Sequence, residues 1–526
     1  MYKSDQTGLG LLLNKAGINR EPVTSQQKVG ILGVLLCATL AVLILQYDVL
    51  WALIPVVLFV LLALAITWPE VGTLVVMFVI FTDIAVIAKN LYGVPEPIAS
   101  SFGLLLGLPL ISYLIIRREK LIIDQTFVLM LFFLATLGAS SLFAVNVNVA
   151  IDWIRNYLME GLVLYVLVVN VVRRFDTMKR VIWVLMLAGG LLGSLTLYQE
   201  LTLTYDNEFY GLAQRTRVDV ASGEVIEEGG QTRVAVNRAG GPLSSPNRYA
   251  QNMLLLLPLA LSMVLGKRSL SQRIIAGSAC LLILSGVLLT YSRGGFIGLV
   301  LVLLVMILVR FIRPRHVLAS VAVVILLVSL AVPGYLYRIG TLRGVEGLIS
   351  RDSEEQPDYV TRSRATEMLA ALNVFLDHPV LGVGPGQYSK FYSIDYHLEN
   401  ENAFRYIPKT RRSHTLYFEM GAETGVIGLG TFLAIALLTL FRLWQARLRW
   451  IQTRPDIANV ATAFLLSIIA YLGTAVFLHL SYQRFYWFLL ALANAAIQIS
   501  NSEIANQDQE EEAPAKNTSP LRQTVS

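Results

Sequence analysis

Apolar runs of about twenty residues recur from residue 30 to residue 499, and they constrain this chain more than any other feature. Each is long enough to cross about 30 Å of hydrocarbon as a helix. A backbone in that environment must satisfy its own polar groups, so the expected fold is an all-α polytopic membrane bundle. We read about fourteen spans, at 30–47, 49–67, 71–88, 98–116, 126–144, 149–170, 181–198, 249–266, 274–291, 294–312, 317–333, 425–443, 457–479 and 483–499. The composition agrees: 55% of the 526 residues are hydrophobic and 15% are charged. Cys37 and Cys280 both fall inside apolar runs. They read as small core residues and not as a disulfide or metal framework. Residues 1–28 are polar, with no apolar stretch of the kind that marks a cleavable signal.

Basic clusters occupy alternate connections: Arg117/Arg118/Lys120, Arg173/Arg174/Lys179/Arg180, Lys267/Arg268/Arg273, Arg310/Arg313/Arg315 and Arg442/Arg447/Arg449/Arg454. The positive-inside rule puts these connections and both termini in the cytoplasm. The net charge of +6 then faces anionic lipid. Nucleic-acid binding is set aside, because the basic residues are not gathered on one folded face. The resulting organisation is a cytoplasmic tail (1–29), helices (30–198), a first outer loop (199–248), helices (249–333), a large outer loop (334–424), helices (425–499) and a disordered tail (500–526).

The first outer loop alternates valines at Val218, Val220, Val234 and Val236 around glycines, which predicts a small β-hairpin. The second holds an amphipathic helix over 363–376. Its apolar face is read as Ala365, Met368, Leu372, Phe375 and Leu376, and Pro379 stops it. Gly382, Gly384 and Gly386 then make a tight turn before Tyr388.

Charged residues at the mouths of spans are costly to bury and point to chemistry. Arg293 and Arg238 each have two readings, an interfacial anchor or a phosphate ligand. Asp152, Arg155 and Glu160 share one span; Asp152 and Arg155 are three apart and can pair, with a cavity-lining role for Arg155 second. The run Asp395, His397, Glu399, Glu401 fixes no coordination geometry, so no metal site and no cofactor are expected. No Gly-x-Ser-x-Gly elbow supports a serine hydrolase. His414 stands where the polar loop meets the next apolar run, a place that seldom holds an imidazole without a use. Gly425 and Gly428 follow at a spacing that suits close helix–helix approach.

Four stretches together resemble the O-antigen ligase and polymerase superfamily of bacterial envelope glycosyltransferases. They are Arg238-Ala-Gly-Gly…Pro246-Asn247-Arg-Tyr-Ala250, then Thr290-Tyr-Ser-Arg293-Gly-Gly-Phe-Ile-Gly298, then Arg364…Asp377-His-Pro-Val-Leu-Gly382-Val-Gly-Pro-Gly-Gln-Tyr388, and His414…Glu423-Thr-Gly425-Val-Ile-Gly428. The resemblance covers roughly residues 180–445. It departs from the ligase pattern at Thr415, where Asn, Ser or Gln is usual. Met368 fills a position that tends to hold a large apolar residue, and the family often has about twelve spans.

The resemblance implies glycan transfer from undecaprenyl diphosphate to a lipid- or protein-borne acceptor hydroxyl, at the periplasmic face of the bacterial inner membrane. His414 would be the general base, and Arg238 and Arg293 the diphosphate ligands, with no metal. Arg364, Arg155, Asn247 and Tyr388 are the candidate substrate-binding residues. A polymerase of the same superfamily is the alternative reaction. A transporter or lipid flippase is the alternative class, and repeated halves around a midplane site would mark it.

Overall fold

The computed structural model describes residues 68–95, 101–219, 235–312, 359–398, 404, 406–407, 409–480 and 483–516. The chain divides into two units, Met1–Gly72 and Thr73–Ser526. The expected spans at 30–47, 49–67 and 317–333, with Cys37, Val220, Val234, Glu399 and Glu401, lie outside the described residues.

The described residues are predominantly helical. The helices are α1 (Pro69–Thr82), α2 (Ile84–Tyr92), α3 (Gln125–Ser140), α4 (Val147–Asn156), α5 (Leu164–Val171), α6 (Phe175–Thr202), α7 (Pro246–Leu265), α8 (Leu270–Leu288), α9 (Arg293–Leu308), α10 (Tyr359–Asp377), α11 (Leu416–Trp450), α12 (Pro455–Thr474) and α13 (Gln483–Lys516). A π-helical turn, Tyr157–Val163, joins α4 to α5. Shorter helical turns occupy Phe102–Ile116, Tyr388–Tyr392 and Ser393–Leu398.

Among the described residues seven helical segments are long and apolar enough to cross a membrane, with α4, the π-helical turn and α5 counting as one, or eight if the α1–α2 pair, bent by 54°, counts as one span. The sequence predicts fourteen, eleven of them lying wholly or largely within the described residues. The apolar helix α9, at 16 residues, falls short of the required length. Helix α13 continues through residues 500–516, the start of the segment for which the sequence predicts disorder. That segment is rich in Ala, Gln and Glu, which propagate a helix already nucleated by a packed apolar half.

The expected hairpin is present. β1 (Gln214–Asp219) pairs antiparallel with β2 (Ala235–Gly241), and Val218 lies opposite Val236. Helix starts follow their capping residues. Asp124 accepts from Phe127 N at 2.8 Å before α3, Ser292 accepts from Gly295 N at 3.1 Å before α9, and Ser269 with Gln272 closes a capping box on α8.

At mid-bundle, Phe133, Tyr157, Phe432, Tyr486 and Trp487 pack ring against ring, with centroids 4.8–6.3 Å apart. Some buried polar groups of the bundle are paired, as where Thr126 donates to Asn494 Oδ1 at 2.9 Å, whereas Tyr486 Oη and Trp487 Nε1 have no hydrogen-bond partner among the described residues. One end of the bundle gathers the basic clusters. Arg173 meets Glu119 at 2.9 Å, Arg442 bonds Gln125, and Arg447 donates to Thr462 and to the Val309 carbonyl. The opposite end is where α7, α9 and α11 begin and α12 finishes.

The amphipathic helix is α10, longer than expected and turned about its axis relative to the reading above. Its buried face is Ser363, Thr366, Glu367, Ala370, Ala371 and Val374, at helical spacing. Leu376 is 64% exposed, and Ala365, Met368, Leu372 and Phe375 are only partly buried. Small residues win the buried face because the glycine turn and α11 pack closely against it.

Gly425 and Gly428 also need correction. The predicted span 425–443 starts at Gly425, whereas the helix starts at Leu416 and is broken at Gly425, with φ 64° and ψ −168°. A β-carbon on Gly425 would sit 2.1 Å from the Val380 carbonyl oxygen, and one on Gly428 would strike the Thr424 side chain. These glycines admit a loop and a side chain and not a neighbouring helix.

Candidate active site

The break in α11 exposes backbone groups that the glycine turn takes up. Val426 N donates to Pro379 O at 2.7 Å, Val383 N to Ala422 O at 2.9 Å, and Gly384 N to Glu423 O at 3.0 Å. Backbone meets backbone here, so there is no room for side chains. A β-carbon on Gly382, whose φ is 67°, would lie 2.4 Å from the Glu423 carbonyl carbon. Ser140 Oγ of α3 donates to Glu423 O at 2.7 Å, and the Gln387 amide pairs with both backbone groups of Asn146 at 3.0 Å. The turn is thereby fixed to α11 and to the α3–α4 connection.

His414 stands above this anchor. Its φ of 54° is a left-handed conformation that a β-carbon disfavours, and its neighbours hold it there. Ser413 N donates to Glu419 Oε2 at 3.0 Å, Arg412 Nε donates to Glu419 Oε1 at 2.8 Å, and Leu416 N donates to Ala475 O at 3.0 Å. The imidazole is 27% exposed, with Nε2 3.4 Å from Oε2 of Glu367, which is 1% exposed. The His479 ring packs edge-on against it, centroid to centroid 5.8 Å. Burial, then the charges of Arg364, Arg248, Arg411 and Arg412, push the His414 imidazole down to about 3. Burial pushes the Glu367 carboxyl up to about 7, against the opposing pull of Arg411, Arg364 and Ser363.

The hairpin brings two expected residues together. Arg238 Nε donates to Thr290 O at 2.8 Å and Arg238 Nη2 to Asn247 Oδ1 at 2.9 Å. Ala239 N donates to Leu289 O at 3.0 Å, so β2 holds the turn that presents Arg293 as the first residue of α9. Arg364 lies one helical turn before Glu367 and acts on His414 through its charge. Tyr388 is fully buried, and its hydroxyl donates to the Glu367 carbonyl at 3.0 Å. In this geometry its side chain is enclosed, packed with Ala371, Val374, Val383 and Ala422. Arg155 is exposed on α4 and pairs with Asp152 at 3.3 Å. No described contact joins it to His414.

Sequence reasoning missed Glu367, Arg248, Arg411, Arg412 and His479. Arg411 and Arg412 lie three and two residues before His414, and Arg248 follows Asn247 inside a stretch already singled out. Glu367 was hidden because the larger apolar residues of α10 suggested the wrong buried face. His397 is buried in the helix Ser393–Leu398. Among the described residues no group of three His, Cys, Asp or Glu could hold a metal ion.

The arrangement can accept a proton from a hydroxyl and present several guanidinium groups to an anion, at one end of a helical bundle. No curated protein matches the chain. The family described as O-antigen ligase matches residues 278–433, which include α9, α10, the glycine turn, His414 and the broken start of α11. Over that segment the chain carries a domain of the O-antigen ligase superfamily.

Proposed function

We propose that this protein is an O-antigen ligase-like glycosyltransferase. It moves a glycan from undecaprenyl diphosphate to an acceptor hydroxyl at the periplasmic face of the inner membrane. The observation that carries the reading is a neutral, partly exposed His414 surrounded by arginines, on a backbone held in a costly conformation. The acceptor oxygen bonds to the anomeric carbon, the bond from that carbon to the diphosphate breaks, and His414 takes the hydroxyl proton. Charge grows on the departing lipid diphosphate, and Arg293, Arg248 and Arg364 stabilise it. Arg238, through Thr290 and Asn247, keeps Arg293 in place. Guanidinium groups supply the electrostatic role, so the reaction proceeds without a metal.

The family match supports glycan transfer of the ligase or polymerase type, and the ligase is the reading proposed here. A transporter is disfavoured because the charged cluster lies where helices begin and end, and not at a midplane site between repeats. The test is transfer by the purified protein in EDTA, with an undecaprenyl-diphosphate-linked glycan as donor. Product formation is expected. Activity that returns only with Mg²⁺ or Mn²⁺ would contradict the metal-free scheme. In cells, deletion should leave long glycan on undecaprenyl diphosphate, whereas single repeats on the final acceptor would identify a polymerase.

A further inference from the structure

Glu367 is a buried acid with one oxygen uncommitted. Ser363 Oγ lies 3.3 Å from its Oε1, Arg411 Nε lies 3.9 Å from the same atom, and Tyr388 holds its backbone carbonyl. Oε2 has no hydrogen-bond partner among the described residues, and its near neighbour is His414 Nε2 at 3.4 Å. An acid buried for structure alone normally engages both oxygens.

We propose that Glu367 is the final acceptor of the proton released in glycan transfer, acting through His414. This rests on the function proposed above. As the acceptor oxygen bonds to the anomeric carbon and the carbon–diphosphate bond breaks, the hydroxyl proton passes to Nδ1 of the imidazole, a buried atom with no hydrogen-bond partner among the described residues. The imidazole releases a proton from Nε2 to Glu367 Oε2 and is neutral again. The carboxylate becomes a carboxylic acid, and the balancing negative charge departs on the lipid diphosphate.

The surrounding groups decide where the proton rests. Arg364 faces the pair from α10, Arg248 from α7, and Arg411 with Arg412 from the segment before α11. Glu419 pairs with Arg412, Glu423 lies beside them on α11, and His479 approaches from the α12–α13 connection. Four guanidinium charges oppose an imidazolium, whereas burial favours a neutral carboxyl at Glu367. The two groups are therefore ordered, with the acid form of Glu367 the more stable resting place, as their values of about 7 and about 3 express. Tyr388 contributes by fixing the turn of α10 that carries the carboxyl.

The test compares wild type, Glu367→Gln and Glu367→Asp in single turnover, with saturating undecaprenyl-diphosphate-linked glycan and acceptor across pH. Glu367→Gln should slow transfer by about 10²–10³-fold, in the range for loss of a proton-transfer partner. Its donor affinity should be unchanged, and Glu367→Asp should recover part of the rate. The wild-type rate should rise with pH through about 7, and that limb should disappear in Glu367→Gln. Infrared difference titration adds a readout independent of turnover: a carboxylic-acid band lost near pH 7 and absent from Glu367→Gln. A Glu367→Gln enzyme with the wild-type rate and pH limb overturns the proposal, as does a titration without that band. Wild-type protein that transfers no glycan, yet shows the band, refutes the function and leaves the ionisation of Glu367 established.

Discussion

Glycine is used in two physically different ways in this molecule, at the α6–α8 crossing and at the break in α11. At the crossing, Gly193 lets two regular helices meet: its β-carbon would stand 2.0 Å from the Leu282 carbonyl oxygen. Gly189 and Gly286 make similar room for Leu256 and Met253. This is small-residue helix packing, the role expected of Gly425 and Gly428. At Gly425 the helix itself gives way, and a loop enters with its own backbone hydrogen bonds. The first use builds the bundle. The second builds the site, because the loop that docks at Gly425 is the one that brings Tyr388 and α10 beneath His414.

Substitutions should separate the two. Gly425→Ala meets both a positive φ and a backbone oxygen, so it should displace the glycine turn and cut transfer at least about 100-fold, as small misplacements of catalytic groups do. A folded Gly425→Ala enzyme with near wild-type turnover would break the distinction. Gly193→Ala should instead lower stability by about 1–3 kcal/mol, the usual cost of overpacking, with turnover per folded molecule unchanged. Thermal melting in detergent alongside the transfer assay reads both.

The site side also carries a cost that the crossing does not. Glu367 holds its proton up to about pH 7 in the folded protein, against an ordinary value of 4.5. Its contribution to stability is therefore complete below about pH 4.5 and is lost as pH rises through about 7. Glu367→Gln should be more stable than wild type at pH 8, by up to about 3 kcal/mol, with the difference vanishing near pH 4.5. His414 runs the other way: neutral when folded, it loses stability as pH falls below 6.5 towards about 3. Ser140→Ala should give the smallest effect, about 1 kcal/mol from one hydrogen bond to Glu423 O, with a modest loss of turnover.

Those contrasts explain what could be read from the sequence. Hydropathy locates α3, α6, α7, α8 and α12 within a few residues, because lipid-facing and core-facing apolar residues leave the same trace in one dimension. The hairpin was legible from Val218 and Val236, and His414 stood out at a loop–span junction, whereas Arg364 was picked out only by the family resemblance. The break at Gly425 was not, since a glycine that admits a helix and one that admits a loop look alike in sequence. Glu367 was obscured in the same way, because on α10 the small residues and not the large apolar ones face inward.

The central claim is that His414 accepts the acceptor's proton within an arginine-lined site. It is tested most directly by single-turnover transfer with purified His414→Ala, using undecaprenyl-diphosphate-linked glycan and a saturating acceptor. The account predicts no measurable glycosylated acceptor, with helicity and donor binding equal to wild type. Transfer by that variant at the wild-type rate would contradict it.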